Sequence, residues 1–248
     1  MKKVIYTVYF TLLASANVLS QADNPNEDPW KGKVKLGFAK MSGNVDTESL
    51  NYGLSLIHLI KDEHKKPKNM VSFNIKGNIG ETGGEKYQDE LTIRLFDGYR
   101  LAKASAVYGQ MTYLENEFQG YEHQWKLGAG YIHYWLDEGN KNFSTRMGYQ
   151  ARFSEHTTGE DESQNFFLVG FRGGYPIMEN ISIRTELNHE ANFTDLEDYE
   201  TDFSLSLVFE VNKTINVEID YNVEYDNMPV TGIEKTDNSF STNLVYKF

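Results

Sequence analysis

Three histidines could take part in hydrolysis at a lipid boundary, because each has the parity of the apolar residues in an alternating segment. They are His123, His133 and His189. Such a hydrolase needs a serine nucleophile and an orienting acid or amide beside one of these rings. Ser105 and Ser163 are the nearest serines of the same parity, and neither is two residues from a histidine. These residues therefore give little support to a hydrolase.

Other residues that could carry chemistry are also incomplete as sites. Glu155-His156 and the run Glu160-Asp161-Glu162 share one segment and resemble the rim of a protease-like barrel, although a solvated acidic loop explains them as well. Asn188-His189-Glu190 has a suggestive composition, but adjacent strand residues point to opposite faces. The sequence contains no HExxH, P-loop or GxSxG motif, and it has no cysteine. We predict no enzymatic activity, no cofactor and no metal site.

Charged residues in the alternating segments share the parity opposite to that of the apolar residues. The basic members are Lys76, Arg94, Arg100, Lys126, Arg146, Arg152, Arg172 and Arg184. The acidic members are Glu186, Glu190, Glu200, Asp202, Glu210, Glu218, Asp220 and Glu224. If the sheet closes, a basic wall faces an acidic wall and lines the lumen. A wet lumen would be a narrow channel for ions or small solutes, and a tight lumen would be filled by salt bridges. We predict a mostly filled lumen and a role in envelope structure or stress adaptation, with the narrow channel as the alternative and a hydrolase as the weakest of the three hypotheses.

The segments that position these charges repeat with a period of two, which is typical of β-strands. In Met70 to Gly80, Val71, Phe73 and Ile75 alternate with polar residues. Twelve such segments are predicted, and their lengths suit strands that cross a bilayer at a tilt. They are residues 33–42, 49–60, 70–80, 87–101, 104–115, 120–135, 143–153, 164–175, 180–191, 199–211, 215–225 and 238–248.

Alternation alone does not decide whether the apolar face meets a second sheet or lipid. Twelve strands would make an oversized sandwich, and aromatic residues lie near strand ends, as in interfacial girdles. These are Tyr87, Tyr99, Tyr121, Trp135, Tyr199, Phe209, Phe240 and Phe248. The mean hydropathy of −0.55 excludes a helical membrane protein, and a net charge of −12 argues against nucleic acid as a partner. We predict an all-β fold: a transmembrane antiparallel up-and-down β-barrel of about twelve strands.

The two ends of the chain indicate export and assembly in a Gram-negative outer membrane. Residues 1–22 have a basic start, a short apolar stretch and small residues at two cleavage positions, so they are predicted to be a signal peptide. Residues 23–32 would form a periplasmic spacer, and residues 33–248 the barrel. The last strand ends at Phe248, which is typical of the signal that the barrel assembly machinery recognises.

An even number of strands places both termini on the periplasmic side and sorts the connections. The predicted periplasmic turns are 102–103, 176–180 and 212–214. The predicted outer loops are 43–48, 81–86, 116–119, 154–163, 192–198 and 226–237. Several outer loops are acidic, which predicts either simple solvation or contact with the divalent cations that bridge lipopolysaccharide. The expected partners are outer-membrane lipids and lipopolysaccharide.

Three runs resemble one family of bacterial outer-membrane proteins. They are LGFAKMSGNVDTESLNYGL near the start of the barrel, FQGYEHQWKLGAGYIHYW in its centre and DYNVEYDNMPVTGIEKTDNSFSTNLVYKF at its end. The family is that of the YdiY-like, putative salt-induced outer-membrane proteins of unknown function. Val45 stands directly after Asn44, where the family usually has Thr or Ser. The resemblance implies the location and the barrel fold, and it implies no activity.

Overall fold

The computed structural model describes residues 29–41, 47–63, 67–138, 140–230 and 232–248. Within these ranges the chain forms a single closed antiparallel sheet, and a short 3₁₀ helix, Glu117–Gln119, precedes the sixth strand. The strands are β1 Trp30–Met41, β2 Thr47–Lys61, β3 Pro67–Thr82, β4 Glu85–Ala102, β5 Ser105–Asn116, β6 Tyr121–Glu138, β7 Lys141–His156, β8 Asp161–Met178, β9 Ile181–Asn192, β10 Tyr199–Glu210, β11 Ile215–Asp226 and β12 Thr236–Lys247.

Each strand pairs with its neighbour along the chain, and β1 pairs with β12 to close the barrel. Backbone hydrogen bonds between Gly32 and Phe248, of 2.8 and 3.0 Å, extend this seam to the end of the chain. The predicted fold class and strand number are confirmed. We call the end of the barrel that holds Trp30 and Phe248 the terminal end, and the opposite end the loop end. No helix in the described residues is long and apolar enough to cross a membrane.

Most strands are longer than the alternation predicted, because several of the turns between them are tighter. β1 begins at Trp30, three residues before the predicted start of the barrel, and Trp30 pairs with His58. The predicted outer loop 81–86 shrinks to Gly83-Gly84, whose φ angles of 61° and 80° suit a two-residue hairpin turn. The predicted signal peptide, spacer residues 23–28 and most of the outer loop 43–48 lie outside the described residues.

The outer face of the barrel is apolar and exposed, whereas many of its buried residues are polar. Leu127 in β6 is 44% exposed and Phe167 in β8 is 43% exposed, while the inward-facing Gln150 and Glu186 are 1% exposed. A water-soluble protein has the reverse arrangement. The predicted girdle residues Trp135 and Phe240 are 64% and 70% exposed on this face. An apolar outer surface around a polar interior identifies a barrel that lipid surrounds.

Tyr121 is an exception to the predicted girdle. The pairing of β6 with β7 shifts between Tyr121 and His123, and that of β5 with β6 shifts between Leu114 and Asn116. Such irregularities change which face a side chain points to. Tyr121 therefore lines a cavity inside the loop end of the barrel instead of facing lipid. Simple alternation could not reveal this bulge.

The glycine-rich stretch of β6 makes room for an aromatic ring inside the barrel. A Cβ added to Gly130 would lie 2.7 Å from the Tyr108 ring, and one added to Gly148 would lie 2.5 Å from the Tyr108 hydroxyl. Tyr108 also stacks on Phe96, with ring centroids 5.6 Å apart. The small residues of β6 and β7 thus let the bulky residues of β4 and β5 extend into the lumen.

Candidate functional site: the charged lumen

A network of ion pairs lies on one side of the lumen, on the neighbouring strands β7, β8 and β9. Glu186 on β9 accepts from Arg172 on β8 at 2.7 Å and from Arg146 on β7 at 3.3 Å. Asn188 also donates to Glu186 and accepts from Arg146, at 3.0 and 2.8 Å. Since Glu186 is only 1% exposed, its charge is balanced by guanidinium groups and not by water. We call Arg146, Arg172, Glu186 and Asn188 the ionic septum.

A second network lies nearer the loop end and joins four strands. Arg152 on β7 donates to Glu190 on β9 and to Glu200 on β10, with one contact to each of 2.9 Å. Lys126 on β6 approaches the same two carboxylates at 4.0 and 3.6 Å. Arg152 is 2% exposed and stacks on Phe166, with 3.9 Å from its guanidinium carbon to the ring centroid. The cations and acids that were predicted to face each other therefore meet along one wall.

A third network lies toward the terminal end. Glu218 on β11 pairs with Arg184 on β9 at 3.3 Å and with Lys35 on β1 at 3.0 Å. Lys35 also pairs with Asp220 at 2.8 Å, and Asn243 donates to Asp220 at 2.9 Å. Lys35 was absent from the predicted lumen residues, although it shares the inward parity of Lys33 and Gly37 in β1. The irregular alternation of the first two strands obscured it.

The other predicted lumen residues occupy different environments. Lys76 pairs with the buried Glu90 at 3.4 Å, and Glu90 is a second residue that the sequence interpretation omitted. Arg100 pairs with Asp137 at 2.9 Å near the terminal end. Glu210 is exposed at the rim and pairs with Lys247 at 3.2 Å. Arg94, Asp202 and Glu224 line a cavity at the loop end.

The opposite side of the lumen, formed by β2 to β6, is apolar in its terminal half. Eight buried side chains form one cluster there, which we call the apolar plug. Its members are Ile57, Leu59, Met70, Phe96, Ala106, Tyr108, Ile132 and Tyr134. The plug explains why β2 fails to alternate: Ile57 and Leu59 point into the lumen while Leu56 and Ile60 occupy the other parity. The sequence predicted a polar inner face here, which is wrong for this part of the barrel because the lumen is packed with side chains.

Among the described residues, one cavity lies on each side of the septum and the plug. The loop-end cavity has a volume of about 140 Å³ and reaches Arg94 and Arg146 at its floor. The terminal-end cavity has a volume of about 430 Å³ and is lined by Lys33, Ser182 and Arg184 among others. Between them lies a void of about 20 Å³, bordered by residues of both the plug and the septum. A void of that size holds about one water molecule, so the described side chains leave no wide passage.

A loop covers the mouth of the loop-end cavity. The connection between β11 and β12 supplies Val230 and Ile233 to the cavity lining. It reaches the β5–β6 connection, where a Cβ added to Gly120 would lie 3.0 Å from Val230 Cγ2. In a closed ring of twelve strands these two connections are diametrically opposite. No residue pattern in the sequence indicated this crossing.

His133 is the register partner of Ser105 on β5, but no hydrogen bond joins a serine to any of the histidines considered for hydrolysis within the described part of the chain. His123 Nδ1 lies 2.9 Å from the Tyr113 hydroxyl, and His189 Nδ1 lies 2.9 Å from Thr201 Oγ1. His133 packs against Trp135, with ring centroids 4.4 Å apart. In the acidic outer loop, His156 Nε2 lies 3.3 Å from Glu162. These contacts are typical of histidine rings near strand ends and in loops.

The acidic β9–β10 connection is held by hydrogen bonds to one carboxyl group. Asn192 donates to Asp198 at 2.7 Å and Gln164 donates to it at 2.9 Å. Partial burial raises the pKa of Asp198 above its ordinary value, although the hydrogen bond from Asn192 opposes this shift. Its charge is therefore partly withdrawn from solvent.

A closed antiparallel sheet with an apolar belt outside and paired charges inside defines the class of protein: it is a transmembrane β-barrel of the outer-membrane type. The chain belongs to the family described as "Protein of unknown function, DUF481", whose profile matches residues 34–248. It is 21% identical over 244 residues to the uncharacterised protein YdiY of Escherichia coli (strain K12), with 94% of this chain and 90% of YdiY covered. The predicted family is confirmed.

Two solved structures have similar architectures. The NanC porin is 12% identical, with a TM-score of 0.54 that covers 88% of this chain and 100% of the porin. The COG4313 outer membrane channel from Pseudomonas putida F1 is 13% identical, with a TM-score of 0.51 that covers 88% of this chain and 94% of the channel. At these identities the likeness establishes the fold alone.

Proposed function

We propose that the protein is a non-enzymatic barrel of the Gram-negative outer membrane, which serves the envelope as a structural or stress-adaptation element and not as an open pore. The observation that carries this proposal is the ionic septum beside the apolar plug. Glu186 and its two arginines fill one side of the lumen, and Met70, Phe96 and Tyr108 fill the other. When paired and packed side chains fill the interior of a barrel, the wall is rigid and little space is left for ions to pass.

The placement in the envelope follows from the same reasoning. A chain that begins with residues 1–22 would be exported and cleaved, and the last strand ending at Phe248 would engage the barrel assembly machinery. The terminal end would then face the periplasm. The loop end would face outward, where the acidic residues 160–162 and 195–198 would meet divalent cations bound to lipopolysaccharide.

Conductance measurements test this proposal. The mature chain would be refolded, checked for heat-modifiable migration on a gel and placed in a planar bilayer with a salt gradient. We expect a silent bilayer. Steady, ion-selective openings from folded protein would overturn the filled-lumen proposal.

The envelope role needs a cellular readout. We expect a deletion strain to take up more of a hydrophobic fluorescent dye, most clearly in high-salt medium, and the full chain to restore the barrier. Unchanged uptake in both media would contradict the envelope role even if the bilayer is silent.

A second candidate function, a gated narrow channel, is favoured by one observation. Cavities of about 140 and 430 Å³ lie on either side of the septum, and Arg146 borders both the loop-end cavity and the void beneath it. Rearrangement of a few ion pairs could connect the cavities. In that case Arg146→Gln would produce ion-selective openings, whereas the filled-lumen proposal expects a less stable but still silent barrel.

A further inference from the structure

The loop-end cavity contains charged groups that the lumen networks leave out. Asp202 on β10 and Glu224 on β11 are register partners, so their side chains lie next to each other on the inner face. Both line the cavity, and neither forms an ion pair or a hydrogen bond with any described residue. Lys76, Lys126 and Arg152 act on these two acids only from beyond contact distance. Two adjacent acids without a cation in direct contact destabilise a barrel, because like charges repel and desolvation is costly.

The facing wall carries an unmatched cation. Arg94 lies on β4, six strands from β10 and therefore across the barrel from Asp202. Its Nε donates to Thr112 Oγ1 at 3.3 Å, which leaves both terminal nitrogens of the guanidinium without a partner among the described side chains. A planar guanidinium with free terminal nitrogens suits a carboxylate, which it can bind with two hydrogen bonds.

A third open position lies beside Arg94. Gln110 on β5 donates through Nε2 to Gln150 at 3.4 Å, and its own Oε1 is buried without a hydrogen-bond partner in the described structure. A buried carbonyl oxygen without a donor costs stability unless something occupies the cavity. An ammonium group next to a carboxylate would supply that donor.

We propose that the loop-end cavity binds a small dibasic amino acid. Its α-carboxylate would pair with Arg94, its α-ammonium with Gln110 Oε1, and its side-chain cation with Asp202 and Glu224. Such a solute carries one carboxylate, which complements Arg94, and a side-chain cation, which complements Asp202 and Glu224. A cavity of about 140 Å³ matches a small organic molecule, since an engineered cavity of about 150 Å³ holds benzene.

The loop above the cavity would retain the solute. Val230 and Ile233 present an apolar underside to it, and Asn227 anchors the loop through Nδ2, which donates to the Glu197 carbonyl oxygen at 2.8 Å. Lys235 Nζ donates to Asn227 Oδ1 at 3.0 Å and closes the base of the loop. Entry from the loop end would require Val230 to leave Gly120. This site stands apart from the proposed envelope role, because a blind cavity binds a solute whether or not the lumen conducts.

Calorimetric titration of the mature, refolded chain in detergent tests the site with four probes: L-lysine, cadaverine, L-glutamate and L-alanine. We expect saturable binding of L-lysine, with cadaverine weaker because it lacks the carboxylate. L-Alanine, which lacks the side-chain cation, would also bind more weakly. L-Glutamate would not bind, because its side-chain carboxylate would meet Asp202 and Glu224. No heat from L-lysine with folded protein, or L-glutamate binding as tightly as L-lysine, would overturn the proposal.

Substitutions assign the two ends of the ligand. Arg94→Gln should weaken L-lysine binding by about tenfold to 100-fold and leave cadaverine unchanged, as expected for the loss of a charged hydrogen bond. Glu224→Gln should weaken both. Glu122→Gln, which alters an exposed carboxylate near the start of β6 that does not line the cavity, should change neither. These variants remove unmatched charges, so we expect them to fold. Equal effects of Arg94→Gln on L-lysine and cadaverine would contradict the assigned orientation.

Discussion

The two sides of the lumen close the same space by different physics. On one side, β2 to β6 contribute the apolar plug, whose members Met70 and Ala106 are fully buried. On the other, β7 to β9 contribute the ionic septum, in which Glu186 is 1% exposed between two arginines. Apolar packing tolerates small changes in shape, whereas a buried charge cannot lose its partner cheaply. We therefore expect substitutions in the septum to destabilise the barrel more than substitutions in the plug. The septum is also the side whose rearrangement could open a passage.

The largest expected effect comes from removing the acid of the septum. Glu186→Gln leaves Arg146 and Arg172 buried without their carboxylate, and loss of one partner of a buried pair costs about 3–5 kcal/mol. Urea unfolding of the barrel in lipid vesicles would measure this. Glu210→Gln is the matched control, since Glu210 pairs with Lys247 at the exposed rim, where a pair contributes about 0–1 kcal/mol. Equal losses in the two variants would show that the septum is not desolvated.

A somewhat smaller effect is expected from the plug. Met70→Ala removes a side chain that is 0% exposed and should cost about 2–5 kcal/mol through lost packing and a new cavity. The same unfolding measurement checks it, with Met70→Leu as the control that keeps the volume and should cost less than about 1.5 kcal/mol. If Met70→Ala costs no more than Met70→Leu, the plug is loosely packed and the comparison of the two halves fails.

The third prediction concerns the contact between β6 and β7, where the plug side meets the septum side. Gly148→Ala places a Cβ 2.5 Å from the Tyr108 hydroxyl and 2.7 Å from the Ala129 carbonyl oxygen. Overpacking of this kind should cost about 1–3 kcal/mol. At Gly109 the same substitution meets nothing within 4 Å, so it should be neutral or slightly stabilising. A tolerated Gly148→Ala would mean that Tyr108 is free to leave the β6–β7 glycines.

Much of this arrangement was predictable from the sequence. Alternation predicted every strand and the inward parity of Arg146, Glu186 and Glu218, because side chains in a strand must alternate between faces. It could not predict that Ile57 and Leu59 point into the lumen, since an apolar inner face looks like a loss of alternation. Nor could it place Tyr121 or Val230, whose positions depend on a bulge and on a loop that crosses the mouth. Strand register and the path of a loop depend on contacts between distant parts of the chain, so alternation within one segment does not determine them.

The smallest expected effect lies outside both halves, in the β9–β10 connection. Because burial raises the pKa of Asp198, the folded protein binds this proton more tightly than the unfolded chain does. Proton binding at Asp198 therefore stabilises the folded protein fully below the ordinary pKa of 3.8. This stabilisation is lost as the pH rises through the raised pKa. Comparison of wild type with Asp198→Asn at several pH values should show wild type losing stability relative to the variant over this window. A relative gain would contradict the sign.

The septum and the plug separate the loop-end cavity from the terminal-end cavity, and side-specific cysteine labelling can test this separation. The chain has no cysteine, so a single one can be placed at Thr92 in the loop-end cavity or at Ser182 in the terminal-end cavity. We predict that a membrane-impermeant thiol reagent added outside intact cells labels Thr92→Cys whenever Val230 moves away from Gly120. The same reagent leaves Ser182→Cys unmodified until the outer membrane is permeabilised. Labelling of both positions from outside at similar rates would contradict the account, because it would require a continuous lumen.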